Sequence, residues 1–441
     1  MTITFRSKLQ AGAFPSGLIV DMDSAHIVEV TPQPDQTLRM TVSPAPTVEL
    51  LKPPSARLQS IDIIRGIVMI LMALDHVRVF AGVSAGGVTN AMFFTRWITH
   101  FCAPAFVFFA GTGAFFHGRK LGDLKHLSRF LVTRGLWLIV LEFTFLRFAW
   151  TFNGQVSGPL LGGIIWVIGI CMVLMGGLIW LGPKKLGWLG LLILAGHNLL
   201  DPYIPGQLFP RLMAGEFSWA SQFLYLGGPV WVQDQTPTIF ILYSIVPWIG
   251  VMGAGYGFGL IMAMPRDKRR QYCLWIGISA TALFVILRGF NLYGNPTPWQ
   301  GTDQISGFLS FLKTNKYPAS FQFLLMTLGP TIIALPFLDS VKGRVAGVCK
   351  MFGRVPLFFY LLHIPLIHLA AIVVSFLRNG EVSAWLFDNH PVWINSVPDG
   401  FAWGLSLLYA TWVGVVILLY FPCKWFEDLK RRRKDWWLSY L

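Results

Sequence analysis

The chain has 441 residues, of which 54% are hydrophobic and 13% charged, and its formal net charge is +14. Soluble domains carry roughly 25% charged residues, so this composition, with a mean hydropathy of +0.58, excludes an ordinary soluble enzyme and indicates an integral membrane protein. The positive balance would suit nucleic acid, yet most of the 35 Lys and Arg fall in alternate loops between apolar runs. That is the pattern of a membrane topology, and no nucleic-acid partner is expected.

Residues 1–56 hold scattered Pro, Asp, Thr and Gln and are expected to form a mobile cytoplasmic tail. Their apolar patch "AGAFPSGLIV" is interrupted by Pro and Ser and followed by acids, so no secretory signal is read there. Beyond it, apolar runs recur at the length of about 20 residues that a spanning helix needs. They cover 62–82, 98–117, 131–150, 160–181, 187–200, 237–263, 271–289, 319–338, 355–377 and 402–421, the fifth being the shortest. The expected fold is therefore all-α and polytopic, with about ten (ten or eleven) transmembrane helices. An even number places both termini in the cytoplasm, where Lys and Arg concentrate. The transmembrane domain is expected over 57–425, followed by a basic cytoplasmic tail over 426–441. The closing "CKWFEDLKRRRKDWW" reads as a basic, aromatic anchor at the inner interface. The five cysteines include no close pair, so neither a disulfide framework nor a metal site is expected.

The first span carries Asp62, Arg65, Asp75, His76 and Arg78. A charge at the bilayer centre costs at least roughly 2.5–3.5 kcal/mol, so such groups face protein or water and are kept for use. Asp62 and Arg65 fall at the cytoplasmic mouth, and His76 lies about 16 Å further along the helix at 1.5 Å per residue. Eleven residues are close to three turns, so Arg65 and His76 share one face. Glu142 and His363 fall near the middle of their spans, and His100, Arg147, His197 and Arg288 nearer the outside. Arg78, Arg147 and Arg288 are close enough to the outer interface to snorkel. His363 and His368 are five apart and do not share a face. His117, His126 and His390 fall in loops or at interfaces, where solvation is expected.

A histidine with a carboxylate partner has the pKa range for a general base acting on an amine or hydroxyl. Asp75 and His76 are about 100° apart on the helix, so Asp75 is expected to orient another histidine, His363 or His100. An arginine at the inner mouth suits a phosphate-bearing donor, with Arg119, Lys120, Lys125, Arg129 and Arg354 as further cations. Together these groups suggest transfer of a group from a cytoplasmic donor to an acceptor outside. A proton-coupled transporter of a small solute is the alternative, since Asp, Glu and His can also relay protons.

Three stretches carry a resemblance: "RLQSIDIIRGIVMILMALDHVR" (57–78), "TRWITHFCAPAFVFFAGTGAFF" (95–116) and "FGRVPLFFYLLHIPLIH" (352–368). They resemble the membrane family of heparan-alpha-glucosaminide N-acetyltransferase, and Arg65 followed after ten residues by His76 is similar to the signature of the broader acyltransferase-3 group. The resemblance implies ten or eleven helices, acetyl-CoA or another acyl-CoA as cytosolic donor, and a sugar or glycan acceptor on the far side. It implies His76 as catalytic base, Arg65 in the cofactor path with Asp62 beside it, and His363 in the same cavity. The chain departs from the lysosomal pattern, which has asparagine in place of His76 and an acetyl-accepting histidine in the next loop, whereas residues 79–99 hold no histidine. Direct transfer in a ternary complex is therefore favoured over a covalent acetyl-histidine. Membrane lipid and a second copy of the chain are the other expected partners. The aromatic loops 201–236, 290–317 and 378–401 read as interface anchors.

Overall fold

The computed structural model describes strands at 17–21, 26–32 and 38–44, and then residues 58–83, 89–154, 159–203, 211–212, 214–233, 236–300, 307–388, 396–433 and 435–441. His390 and parts of the three aromatic loops lie outside the described residues. The chain divides into two units between Ala56 and Arg57. In the first, β1 (Gly17–Asp21), β2 (His26–Pro32) and β3 (Leu38–Pro44) form an antiparallel sheet in the order β1-β2-β3, with Val28 opposite Val42. The expectation of a tail named no element here; the β-branched residues of "HIVEVTP" suit a strand.

The second unit is built from helices: α1 (Gln59–Phe80), α2 (Asn90–Thr99), α3 (Cys102–Leu121), α4 (Leu124–Leu141), α5 (Arg147–Thr151), α6 (Ile164–Leu178) and α7 (Gly182–Gly196). After these come α8 (Ile245–Met262), α9 (Arg266–Gly289), α10 (Phe321–Leu338), α11 (Arg344–Arg354), α12 (Pro356–Asn379) and α13 (Leu405–Arg432). Local signals set their ends. The Thr89, Asp123 and Ser320 side chains accept backbone N–H bonds at the starts of α2, α4 and α10. Gly122 and Gly380, at φ of 69° and 77°, close α3 and α12. Pro356 at the first position of α12 separates it from α11.

Among the described residues, seven helical segments are long and apolar enough to cross a membrane. Each expected run overlaps a helix, but the runs at 160–181 and 187–200 fall within one of these seven segments, the runs at 62–82 and 131–150 are not among them, and the run at 237–263 opens as a strand, β6 (Thr236–Ile241), before α8 begins. β6 lies between β4 (Leu160–Gly162) and β5 (Gly228–Gln233) in a second small sheet. Likewise α13 runs on through Arg432, so the boundary expected at 426 falls inside a helix. Helix α1 is long enough to span, but every 18-residue window of it holds at least three Asp or Arg side chains.

Its packing explains how it tolerates them. α1 is in contact with α2, α3, α10, α11, α12 and α13, so its polar groups meet protein on nearly every side. α9 and α13 are the peripheral spans, with 22% and 17% of their apolar windows buried. Close helix contacts rest on glycine, as is usual where backbones must approach in a membrane. A Cβ on Gly66 of α1 would run into the Cys349 carbonyl of α11, and one on Gly353 of α11 into the Asp62 carbonyl of α1. Gly353→Val is therefore expected to lower stability by about 1–3 kcal/mol through overpacking. Gly347→Ala on the same helix, where nothing lies within 4 Å, is expected to be neutral or better. Thermal unfolding of the two purified variants in detergent checks the contrast.

Candidate functional site

Two features converge on α1. The first is a cavity of about 600 Å³ between α1, α3, α4, α6, α12 and the end of α13. Arg65, Lys120, Arg134, Arg354 and Lys430 line it, and among the described residues no Asp or Glu does. Lys120 and Lys430 sit in the last turns of α3 and α13, Arg354 ends α11, Arg65 lies in the second turn of α1, and Arg134 lies about three turns into α4. Further in, the wall becomes apolar, with Met69, Leu138, Ile164, Ile165 and Leu357. Such a gradient fits a ligand with an anionic head and an uncharged arm.

The second feature is a histidine pair. His76 Nδ1 lies 2.6 Å from His363 Nε2, and the rings stack with centroids 4.9 Å apart. His363 Nδ1 lies 2.6 Å from the Tyr360 carbonyl oxygen. That oxygen can only accept, so Nδ1 of His363 carries the proton and, with both rings neutral, its Nε2 accepts from His76 Nδ1–H. His76 Nε2 is left with a free lone pair. The imidazole is held edge-on by Trp150 at 5.1 Å and Tyr360 at 6.3 Å.

His76 does not line the cavity; Tyr360 stands between them. It lines the cavity and touches both histidine rings, at 6.3 Å from His76 and 5.0 Å from His363. The spacing of α12 accounts for this, since Leu357, Tyr360 and His363 follow each other at i, i+3 on one face. On α1, Arg65 and Met69 line the cavity and His76 lies two further turns along the same stripe.

The remaining expected site residues are distributed differently. Asp75 does not orient a histidine: its Oδ1 accepts from Arg78 Nε at 2.9 Å and lies 4.0 Å from Arg96 Nη1. The adjacent arginines offer it stronger, charge-assisted partners than a neutral imidazole could. Lys316 is within electrostatic reach of Asp75, His76 and His100. His100 packs on Phe323 at 5.6 Å and makes no hydrogen bond to the pair. Asp62 faces Arg354 at 3.5 Å instead of the cavity, and Arg354 also donates to Glu427 at 2.6 Å. Arg119 lies over the Phe115 ring, outside the cavity lining. His117, expected in solvent, lines the cavity against Phe130, whereas His126 is exposed and paired with Asp123. Arg78 and Arg288 do not snorkel. Both are buried, and Arg288 donates to the carbonyls of Phe311, Thr297, Ser310 and Lys313. His197 is bound to Ala319 O at 2.9 Å, and His368 to Ala149 O at 3.1 Å.

Arg134, Lys430 and Tyr360 were missed by sequence reasoning, the first two because they pass as ordinary inner-face cations and the third because it lies inside an apolar run. Glu142 has a structural explanation. It opens a π-helical segment, Glu142–Leu146, between α4 and α5, a feature often found beside functional sites. Its carboxylate accepts from Trp166 N at 2.9 Å and faces the N–H groups of Gly163 and Ile165, which start α6. An anion at a helix N-terminus is well placed.

Residues 57–291, just over half of the chain, match the family described as heparan-alpha-glucosaminide N-acetyltransferase, catalytic. The chain belongs to this family. It is a membrane protein of acetyltransferase type, as the family and its apolar helices agree. No curated protein matches it. The span matched to the family contains Arg65, His76, Lys120, Arg134 and Glu142; Arg354, Tyr360, His363 and Lys430 lie beyond it.

Because Glu142 satisfies the start of α6, Glu142→Ala should destabilise the protein by about 1–3 kcal/mol. Glu142→Gln keeps an acceptor and should lose less. Unfolding midpoints for both variants measure this, and wild-type values for both would reject the capping role.

Proposed function

We propose that the protein transfers an acetyl, or longer acyl, group from cytosolic acyl-CoA to an amine or hydroxyl of a sugar or glycan on the other side of the membrane. The observation that carries this reading is the cationic cavity whose apolar arm ends at Tyr360, directly against the His76–His363 pair. The Arg65 end is assigned to the cytoplasm because the loops at that end hold most of the Lys and Arg, which puts both termini inside and ten helices across the membrane. The donor's phosphates would pair with Arg65, Lys120, Arg134, Arg354 and Lys430, and its pantetheine arm would follow Met69, Leu138 and Leu357 inward.

His76 acts as the general base in this reading. Its Nε2 lone pair takes the proton from the attacking amine or hydroxyl, and His363 fixes the ring in the tautomer that leaves that nitrogen free. As the C–S bond breaks, the same proton returns to the departing thiolate. Arg78 on the same helix, Arg96 beside Asp75, and Lys316 from a distant part of the sequence would supply a cationic surround on the acceptor side.

Acetyl-CoA should raise the melting temperature of the purified protein, by an amount approaching about 2.7 kcal/mol of stabilisation at a hundredfold excess over Kd. Arg65→Ala and Arg134→Ala should each weaken binding roughly ten- to a hundredfold, as expected for losing a charge-assisted bond. No thermal shift with acetyl-CoA or a longer acyl-CoA would count decisively against a donor site here. His76→Ala should lower the transfer rate by about 10²- to 10⁴-fold, the range for a positioned general base, while the acetyl-CoA thermal shift persists. Retained turnover would remove His76 from that role.

A further inference from the structure

Tyr360 is where the cavity and the histidine pair meet. Its carbonyl oxygen accepts the His363 Nδ1 proton, its ring touches both imidazoles, and its side chain lines the cavity. The residue is 5% exposed, and its hydroxyl has no hydrogen-bond partner among the described residues. Buried tyrosine hydroxyls normally find a partner. Tyr225 donates to Asp201 at 2.7 Å, and Tyr243 pairs with Tyr317 at 3.3 Å. A phenol left open at the inner end of a cavity, next to a base, is placed to bond to something that enters.

We propose that the Tyr360 hydroxyl donates a hydrogen bond to the acyl carbonyl oxygen as that oxygen becomes an oxyanion, which makes Tyr360 a further catalytic residue. This rests on the acyl-transfer reading above. The acceptor's lone pair adds to the acyl carbon, a C–N or C–O bond forms, and the carbonyl π pair moves to the oxygen facing Tyr360. The acceptor's proton passes to His76 Nε2. On collapse the C=O bond re-forms, the C–S bond breaks, and the thiolate leaves as the free thiol with the proton that His76 held. Tyr360 stays protonated throughout and changes only the strength of its hydrogen bond, which is what a donor aimed at developing charge contributes. Base and donor come from one short stretch of contacts: Tyr360 O fixes His363, His363 fixes His76, and the Tyr360 hydroxyl faces the group on which His76 acts.

The test is Tyr360→Phe in the full chain, which keeps the ring between cavity and pair and removes the hydroxyl. With acetyl-CoA as donor and glucosamine as acceptor probe, kcat for thiol release should fall about 10²- to 10³-fold, the loss typical of one oxyanion donor. KM for acetyl-CoA, the acetyl-CoA thermal shift and the pH midpoint of the rate should stay within twofold or a few tenths of a unit. A role confined to packing would instead move the melting temperature and KM. Tyr256→Phe, a buried tyrosine away from the cavity lining, should leave kcat unchanged. If the Phe variant does not fold, fluorotyrosine at position 360 gives the second reading, a changed kcat at an unchanged melting temperature. Turnover of Tyr360→Phe within threefold of wild type overturns this inference alone. A wild-type protein that binds no acyl-CoA and releases no thiol overturns the acyl-transfer reading, and this inference with it.

Discussion

The hydrogen bond between His76 and His363 spans 287 residues of sequence and joins α1, the helix with the most neighbours, to α12. Most of the site depends on that contact. It sets the tautomer of His76, because the Tyr360 carbonyl leaves His363 no other arrangement of protons while both rings are neutral. It also brings the i, i+3 face of α12 against the i, i+4, i+7 stripe of α1, so that Leu357 and Tyr360 lie alongside Arg65 and Met69 in one cavity wall. The close approach of α1 and α11 at Gly66 and Gly353 holds the other end of the same helix, and the two constraints together leave α1 little freedom to slide or rotate.

Elsewhere in the bundle polar groups are consumed by structure. Arg288 spends its guanidinium on four carbonyls, Glu142 on the start of α6, and Asp75 on Arg78 and Arg96. Each is a buried charge with its partner in place, the condition under which hydrocarbon tolerates it. The histidine pair stands apart from this rule, since His76 keeps one nitrogen with a free lone pair, whereas cavity cations such as Arg65, which donates to the Phe109 carbonyl, and Arg354, which donates to Glu427, are held by protein partners while they line the wall.

Depth and periodicity made part of this visible in the amino-acid sequence. Arg65 and His76 could be placed on one face because eleven residues approximate three turns, and His363 could be singled out by its mid-span position. Apolar runs marked the helical segments for the same reason, seven of them, among the described residues, long and apolar enough to cross a membrane. Neighbours were not legible, because a helical repeat tells which way a side chain points and not which helix it meets. Asp75 was assigned to a histidine on chemistry alone, while two arginines stood closer. His117 and Lys430 were read as solvent-facing or anchoring because loop position carries no information about a cavity that folds around it. The opening of the run at 237–263 was taken for helix because "TPTIFI" is largely apolar, although this stretch is β6 and pairs with two other strands.

Arg354 shows how a cation-lined cavity remains stable when no anion is bound. Its guanidinium lines the cavity while its Nε faces Asp62 and its Nη1 donates to Glu427, which Lys424 also contacts at 3.1 Å. Like charges gathered at one end of a bundle repel, and a pair of carboxylates placed behind one of them offsets that repulsion without entering the cavity. In the proposed function, a donor phosphate would meet N–H groups that are already oriented, since the planar guanidinium presents several of them in a fixed fork. The charged end of α13, which as sequence resembles a simple membrane anchor, thereby becomes part of the wall: Glu427 holds Arg354 in position, and Lys430, one turn further along the same helix, faces the cavity directly.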